Sequence, residues 1–331
     1  MPLMTTRPMF ADAYSGGYAV GAFNVNNMEI IQGIMQACAE ENAPVILQIS
    51  KGARRYADMA YLRALIDVAV KKYPRIPIAI HLDHGDTLDL VKQCIADGFT
   101  SVMIDGSHEP FDDNIALTRS VADYAHAHGV PVEAELGMLG GIEEDVVGAS
   151  AEEYAANIEK YLTDPTQAHD FWQRSGCDSL AVAIGTSHGA YKFKHEARLA
   201  FDRIDAIMKI CPSLPLVMHG SSSVLEEFVN LINQYGGQMP NAKGVPESAV
   251  TRGAGMGVCK VNIDTDIRLA MTAKIREVFA TKPSEFDPRM YLGPARDAIV
   301  AMVRHKLRVL GASGKAEQIM ARYQASPEYK G

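Results

Sequence analysis

The chain has 331 residues, 47% hydrophobic and 22% charged, with 27 Gly and 16 Pro, proportions that exclude a disordered, collagen-like or coiled-coil protein. Thirty-two Lys and Arg stand against 40 Asp and Glu, a formal net charge of −8. That balance repels nucleic acid and anionic membrane, so neither is an expected partner, and an anionic ligand needs a local patch of positive potential.

Eight short apolar runs rich in β-branched residues follow one another: 18–25, 44–50, 76–84, 101–107, 131–137, 179–185, 214–220 and 257–265. Each is too short for a helix and apolar on both faces, as strands of a helix-covered parallel sheet are. The intervals carry helical patterns, such as Met28, Ile31, Ile34, Met35 and Cys38, or Val91, Cys94 and Ile95 ahead of Gly98. No GxGxxG turn follows the first run, which argues against an open dinucleotide-binding sheet. The expectation is an α/β protein, a single-domain (β/α)8 TIM barrel over 1–331, since such barrels run to about 250 residues or more as one unit. Two connections are long, 138–178 and 221–256. The first opens with glycines followed by acids and is expected to be a mobile loop over the site. A helical extension is expected over 267–331, with a Pro-rich break at Lys282 to Pro294.

Cys38, Cys94, Cys177, Cys211 and Cys259 are dispersed, odd in number and free of CxxC spacing, which suits reduced thiols. The opening MPLMTTRPMF lacks the basic start and apolar stretch of a signal peptide. A cytoplasmic location is expected.

Working residues of barrels sit at the C-terminal ends of strands, and here those ends are polar: Asn24, Ser50, Asp83-His84, Asp105, Glu133 with Glu135, Thr186 to Gly189, His219-Gly220, and Asn262, Asp264 and Thr265. Of the ten histidines, His84, His188 and His219 end strands three, six and seven. Three histidines with an open fourth position suit a catalytic zinc. His81 reads as a buried supporting group, and His126, His128, His169 and His195 as solvated. Asp105 and Glu135 suit two roles, acceptors for the histidine N–H groups or an alternate metal position. Asp83, beside a ligand candidate, is a candidate acid/base. The turns SHG at 187–189 and HGSSS at 219–223, with NIDTD at 262–266, bring backbone amides and hydroxyls to one side of the mouth, where barrels bind phosphate. Arg268 and Lys192 offer countercharge. Lys260, inside the last strand, admits two readings: a Schiff-base nucleophile, or the ion-pair partner of a carboxylate on a neighbouring strand.

Seven segments in this order, GAFNVNN (21–27), HLDHGD (81–86), SVMIDGS (101–107), EAELG (133–137) with GGIEED (140–145), GTSHG (185–189), HGSS (219–222) and VNIDTD (261–266), resemble the class II, metal-dependent fructose-bisphosphate aldolases, with the related tagatose- and sedoheptulose-bisphosphate enzymes. The resemblance spans most of the chain. It implies a reversible, zinc-dependent aldol cleavage of a ketose bisphosphate to dihydroxyacetone phosphate and an aldose phosphate. It makes His84, His188 and His219 the zinc ligands, Asp105 and Glu135 a second metal position, and Asp83 the acid/base at the C4 oxygen. Glu143, with Glu144 as its neighbour, falls where the loop glutamate moves the C3 proton. Gly189, Gly220, Ser221, Ser222, Asp264 and Thr265 match the dihydroxyacetone phosphate cradle, with Lys192 nearby. Asn24 and Asn262 match contacts to the enediolate, while Ser50 and Arg268 match the aldehyde-phosphate side, Arg268 as a group donated by a neighbouring subunit. A monovalent cation (Na+ or K+) near the phosphate and a homodimer or homotetramer are also implied. Two other readings remain: a Schiff-base lyase using Lys260, and a phosphosugar-binding barrel without turnover.

Overall fold

The structure is a computed structural model that describes residues 3–140, 157–191 and 199–328, together with the backbone of 142–143 and 146–147. Each apolar run becomes a strand: β1 (Val20–Asn24), β2 (Val45–Ser50), β3 (Ile78–Gly85), β4 (Ser101–Ile104) and β5 (Val132–Leu136) come first. A small antiparallel ribbon follows, β6 (Ile142–Glu143) with β7 (Val146–Val147), then β8 (Ser179–Val182), β9 (Leu216–Met218) and β10 (Val258–Ile263). The eight long strands close into a parallel barrel in the order β1-β10-β9-β8-β5-β4-β3-β2, sealed where Val20 of β1 lies opposite Lys260 of β10. The (β/α)8 expectation is met.

Several of the helices start where a short polar side chain takes up a free amide. Helix α1 (Thr6–Gly16), which the strand pattern does not anticipate, is capped by Thr5, ends at Gly17 with φ 65° and packs against β1 and β10. Helix α2 (Met28–Glu40) begins at Asn27, whose side chain accepts from the Ile30 amide, and buries Ile30, Ile31, Ile34, Met35 and Cys38. Met28 stands outside that stripe and is exposed. After β2 come α3 (Lys51–Ala57) and α4 (Met59–Lys72); α5 (Leu88–Ala96) follows β3 and α6 (Phe111–Ala127) follows β4.

The expected loop over 138–178 is shorter than its sequence suggests. Residues 158–175 carry α7 (Ile158–Tyr161) and α8 (Pro165–Ser175). Helix α8 has Asp164 as cap, Pro165 in its first turn and Gly176 at φ 73° beyond its end, and it buries Ala168 and Phe171 like any barrel crossover. Helix α9 (Phe201–Ile210) precedes β9, and the second long connection holds α10 (Glu226–Gln234) and α11 (Glu247–Ala254).

Beyond β10 the chain is helical as expected: α12 (Thr265–Thr281), α13 (Pro288–Val309) and α14 (Ala316–Gln324). The break expected at 282–294 ends sooner, because Asp287 caps the amide of Arg289 and Pro288 starts α13. Pro294 lies within α13 on its exposed side, where a carbonyl left without its amide partner is open to water. Among the described residues no helix is long and apolar enough to cross a membrane.

Candidate active site

Alternate residues of a strand share a face, and the polar residues read at the strand ends continue down the inward face of this barrel. Gln48 and Ser50 on β2, His81 and Asp83 on β3, Glu133 and Glu135 on β5, and Lys260 and Asn262 on β10 are all buried. Gln48, His81, Asp83, Glu133, Glu135, Lys260 and Asn262 meet in one network across the bore.

Asp83 and His84 are consecutive and would face opposite sides of a regular strand. The β3–β4 register passes from Leu82 opposite Val102 to Gly85 opposite Ile104, one extra residue on β3, and His84 has φ 47°. A bulge of this kind re-aims side chains. Donor atoms of Asp83, His84 and His219 accordingly lie within 4.8 Å of one another, and so do those of His84, Asp105 and Glu135.

Each of two histidines has one ring nitrogen tied to a carboxylate. His84 Nδ1 lies 2.9 Å from Asp105 Oδ2, and His219 Nε2 lies 2.7 Å from Glu133 Oε1. Their other nitrogens converge, His84 Nε2 on His219 Nδ1 at 2.9 Å. His188 presents its ring edge-on at 5.3 Å from His84 and 6.4 Å from His219, between centroids, outside the tighter donor group. Carboxylate-backed imidazoles whose second nitrogens converge are the donor chemistry of a zinc site, so these residues fit the metal. Burial pushes His219 below its ordinary value, against the pull of Glu133, which keeps the ring in the neutral form a metal binds. Burial resists ionisation of Asp105 and Glu133, but the His84 contact for the first, and Lys260 with His81 for the second, hold both carboxyls well below the usual range.

Asp83 is clasped by three amides. Asn24 Nδ2 donates to its Oδ2 at 2.8 Å and Gln48 Nε2 to the same oxygen at 3.3 Å, while Asn262 Nδ2 donates to Oδ1 at 3.2 Å. Gln48 also donates to Asn24 Oδ1 at 2.6 Å. Gln48 was not among the candidates; its only signal was a lone amide in an apolar run, two residues before Ser50.

Beside this group Asn24, His188, Gly189, Gly220, Ser221, Ser222, Asn262, Asp264 and Thr265 line one small cleft. Gly189 and Gly220 have φ 81° and 61°. A Cβ on Gly220 would come within 2.7 Å of the Ser187 carbonyl oxygen, so the two loops approach only because residue 220 lacks a side chain. Ser222 Oγ accepts from the Asp264 amide at 3.3 Å and Ser221 Oγ donates to the His219 carbonyl at 3.1 Å. The cleft opens onto the N-terminus of α12, where anions are favoured.

Two candidates have local duties. Ser50 caps α3, accepting from the Ala53 amide at 3.1 Å. Arg268 pairs with Asp264 at 2.5 Å, its side chain half exposed, so the countercharge lies beside the cleft. Lys192 and Glu144 fall outside the described residues; for Glu143 only the backbone, in β6, is described.

Lys260 resolves toward the ion pair. It is fully buried, its Nζ lies 3.0 Å and 2.9 Å from the two oxygens of Glu133 and 3.3 Å from His81 Nε2. A Schiff base needs a neutral amine that a carbonyl can reach, and this ammonium is shut beneath the histidines.

Fold and site together describe a parallel barrel whose mouth carries a histidine-rich, carboxylate-backed donor set that could hold a metal ion, beside a cleft of glycines and serines. The chain belongs to the class-II fructose-bisphosphate aldolase family, whose sequence model matches residues 4–315. It is 55% identical over 318 residues to a fructose-bisphosphate aldolase of Giardia intestinalis, covering 96% of this chain and 95% of that one. It is 48% identical over 333 residues to one of Treponema pallidum, covering 95% and 98%. The YdjI aldolase of Escherichia coli K12 superposes with a TM-score of 0.77 at 28% identity, over 95% of this chain and all of that one.

Proposed function

We propose that the chain catalyses the reversible aldol cleavage of fructose 1,6-bisphosphate to dihydroxyacetone phosphate and glyceraldehyde 3-phosphate. The observation that carries this reading is the convergence of Asp83, His84 and His219 donor atoms within 4.8 Å beside a cleft of glycines and serines. His84, His188 and His219 hold zinc, with Asp105 and Glu135 as a second position. When bound, zinc acts as a Lewis acid for the charge that develops on the substrate oxygens.

The chain's own groups do the rest. Asp83, oriented by Asn24, Gln48 and Asn262, takes the proton of the C4 hydroxyl. The C3–C4 bond then breaks, its electron pair delocalising toward the C2 oxygen, and glyceraldehyde 3-phosphate leaves. Glu143, protonated at the start of the step, delivers its proton to C3 and completes dihydroxyacetone phosphate, and exchange with solvent takes the proton from Asp83 and restores the one on Glu143. Such acid/base groups typically contribute about 10² to 10⁴-fold each. Gly189, Gly220, Ser221, Ser222, Asp264 and Thr265 hold the phosphate next to the ketone, with Lys192 and a monovalent cation offsetting its charge. Ser50 and the Arg268 of a neighbouring subunit serve the other phosphate, which makes the working form a homodimer or homotetramer. The reduced state expected of five buried thiols suits the cytoplasm.

The test is cleavage of fructose 1,6-bisphosphate in a coupled assay before and after dialysis against a chelator. Activity is expected to vanish and to return with zinc. Activity that survives complete metal removal overturns the reading.

A further inference from the structure

We propose that Asp266, tethered by Lys306, is a positioning residue that holds the 220–224 loop in the shape required to bind phosphate; this rests on the cradle assigned above. Asp266 closes the NIDTD motif yet faces away from the cleft. It is fully buried in the first turn of α12. Its Oδ2 accepts from the Ser223 amide at 2.9 Å and its Oδ1 from the Val224 amide at 2.7 Å. Lys306, on α13 and itself buried, places Nζ 3.1 Å from Oδ2 and 2.7 Å from Glu247 Oε1.

The loop needs a clasp because of Val224. Its φ is 54°, a conformation that β-branched residues rarely adopt. A strained residue persists only where its surroundings over-determine it. Here two successive amides feed one carboxylate, and the other side of the loop is closed by Val245, whose amide donates to the Ser222 carbonyl at 3.1 Å. Gly244 lies so close that a Cβ there would be 2.3 Å from the Ser223 carbonyl carbon. Ser221 and Ser222, which line the cleft, stand directly before this clamped pair. Relaxing Val224 to a negative φ swings them out of register with Gly189 and Thr265.

Asp266→Asn isolates the role. The amide keeps the shape of the carboxylate but sets an NH2 against one of the two backbone donors. Binding of dihydroxyacetone phosphate and of inorganic phosphate is measured by calorimetry on zinc-loaded enzyme, beside zinc content, KM and kcat, and hydrogen exchange across 221–225. Asp266→Asn is expected to raise both dissociation constants and KM about ten-fold, to speed exchange in that segment, and to leave zinc content unchanged. Adding Val224→Gly, which removes the strain, is expected to recover most of the lost affinity, something a general loss of stability does not allow.

Ser222→Ala serves as the control. If it weakens phosphate binding while Asp266→Asn does not, the clamp is refuted and the cradle stands. If neither variant changes binding, the cradle assignment fails and the clamp with it. Should Asp266→Asn not fold, Lys306→Met, which unties the carboxylate but leaves it charged, is expected to shift the same constants in the same direction; unchanged constants refute the clamp.

Discussion

Replacing Lys260 by methionine tests the polar layer under the proposed metal site. The side chain keeps most of its length and loses its charge, leaving the buried Glu133 carboxylate, 1% exposed, without its ammonium partner. Breaking a buried pair by removing one partner costs about 3–5 kcal/mol. With 331 residues and an unfolding entropy of about 2.1 cal/mol/K per residue, that is a fall of roughly 4–7 °C in Tm. Calorimetry or fluorescence melting measures it. The double variant Lys260→Met/Glu133→Gln, which removes both charges and keeps an acceptor for His219, is expected to recover at least half of the loss. Lys260→Met enzyme retained at low temperature with saturating zinc is expected to cleave substrate, and borohydride with substrate is expected to leave Lys260 of the wild-type enzyme unmodified. A Lys260→Met melting point within about 1 °C of wild type would refute the ion-pair account; reductive trapping on Lys260 would restore the Schiff base.

Asp83→Asn is expected to retain zinc, by elemental analysis, while turnover in the coupled assay falls about 10² to 10⁴-fold; near-normal turnover removes Asp83 as the acid/base. Glu41 offers a pH prediction. Arg308, with Arg304 and Ser313 and against a burial effect, lowers its carboxyl from 4.5 to about 2. Because the folded value is depressed, its contribution is fully present above about pH 4.5 and is lost as pH falls through 2. Urea midpoints are therefore expected to drop with acidification below pH 4.5, and Glu41→Gln to flatten that part of the curve.

The barrel was legible because eight β-branched runs and their intervals have the periods of strand and helix, and His84 and His219 because they close such runs; His188, expected at a strand end, lies in the loop six residues beyond Val182, where β8 stops. What hid was the inner face. A run such as PVILQIS reads as apolar on both sides, and only the parity of Gln48 with Ser50 betrays a polar interior. The β3 bulge was equally hidden: nothing in HLDHGD says that Asp83 and His84 look the same way, since this depends on pairing with β4. The excess length assigned to the 138–178 loop came from weighing its glycines over the Asp-Pro start and Gly end of α8. Lys260 stayed ambiguous because its partner Glu133 lies 127 positions away and on a strand that is not its neighbour.

That separation bears on how the protein is made. As the chain leaves the ribosome Glu133 and His219 emerge first, and the cation that neutralises Glu133 comes with β10, the last strand, which must then insert between β9 and β1. Until it does, the bore holds an uncompensated carboxylate and the barrel has two open edges. Nascent chains that stop short of residue 263 therefore lack a closed sheet and are natural clients for chaperones and proteases.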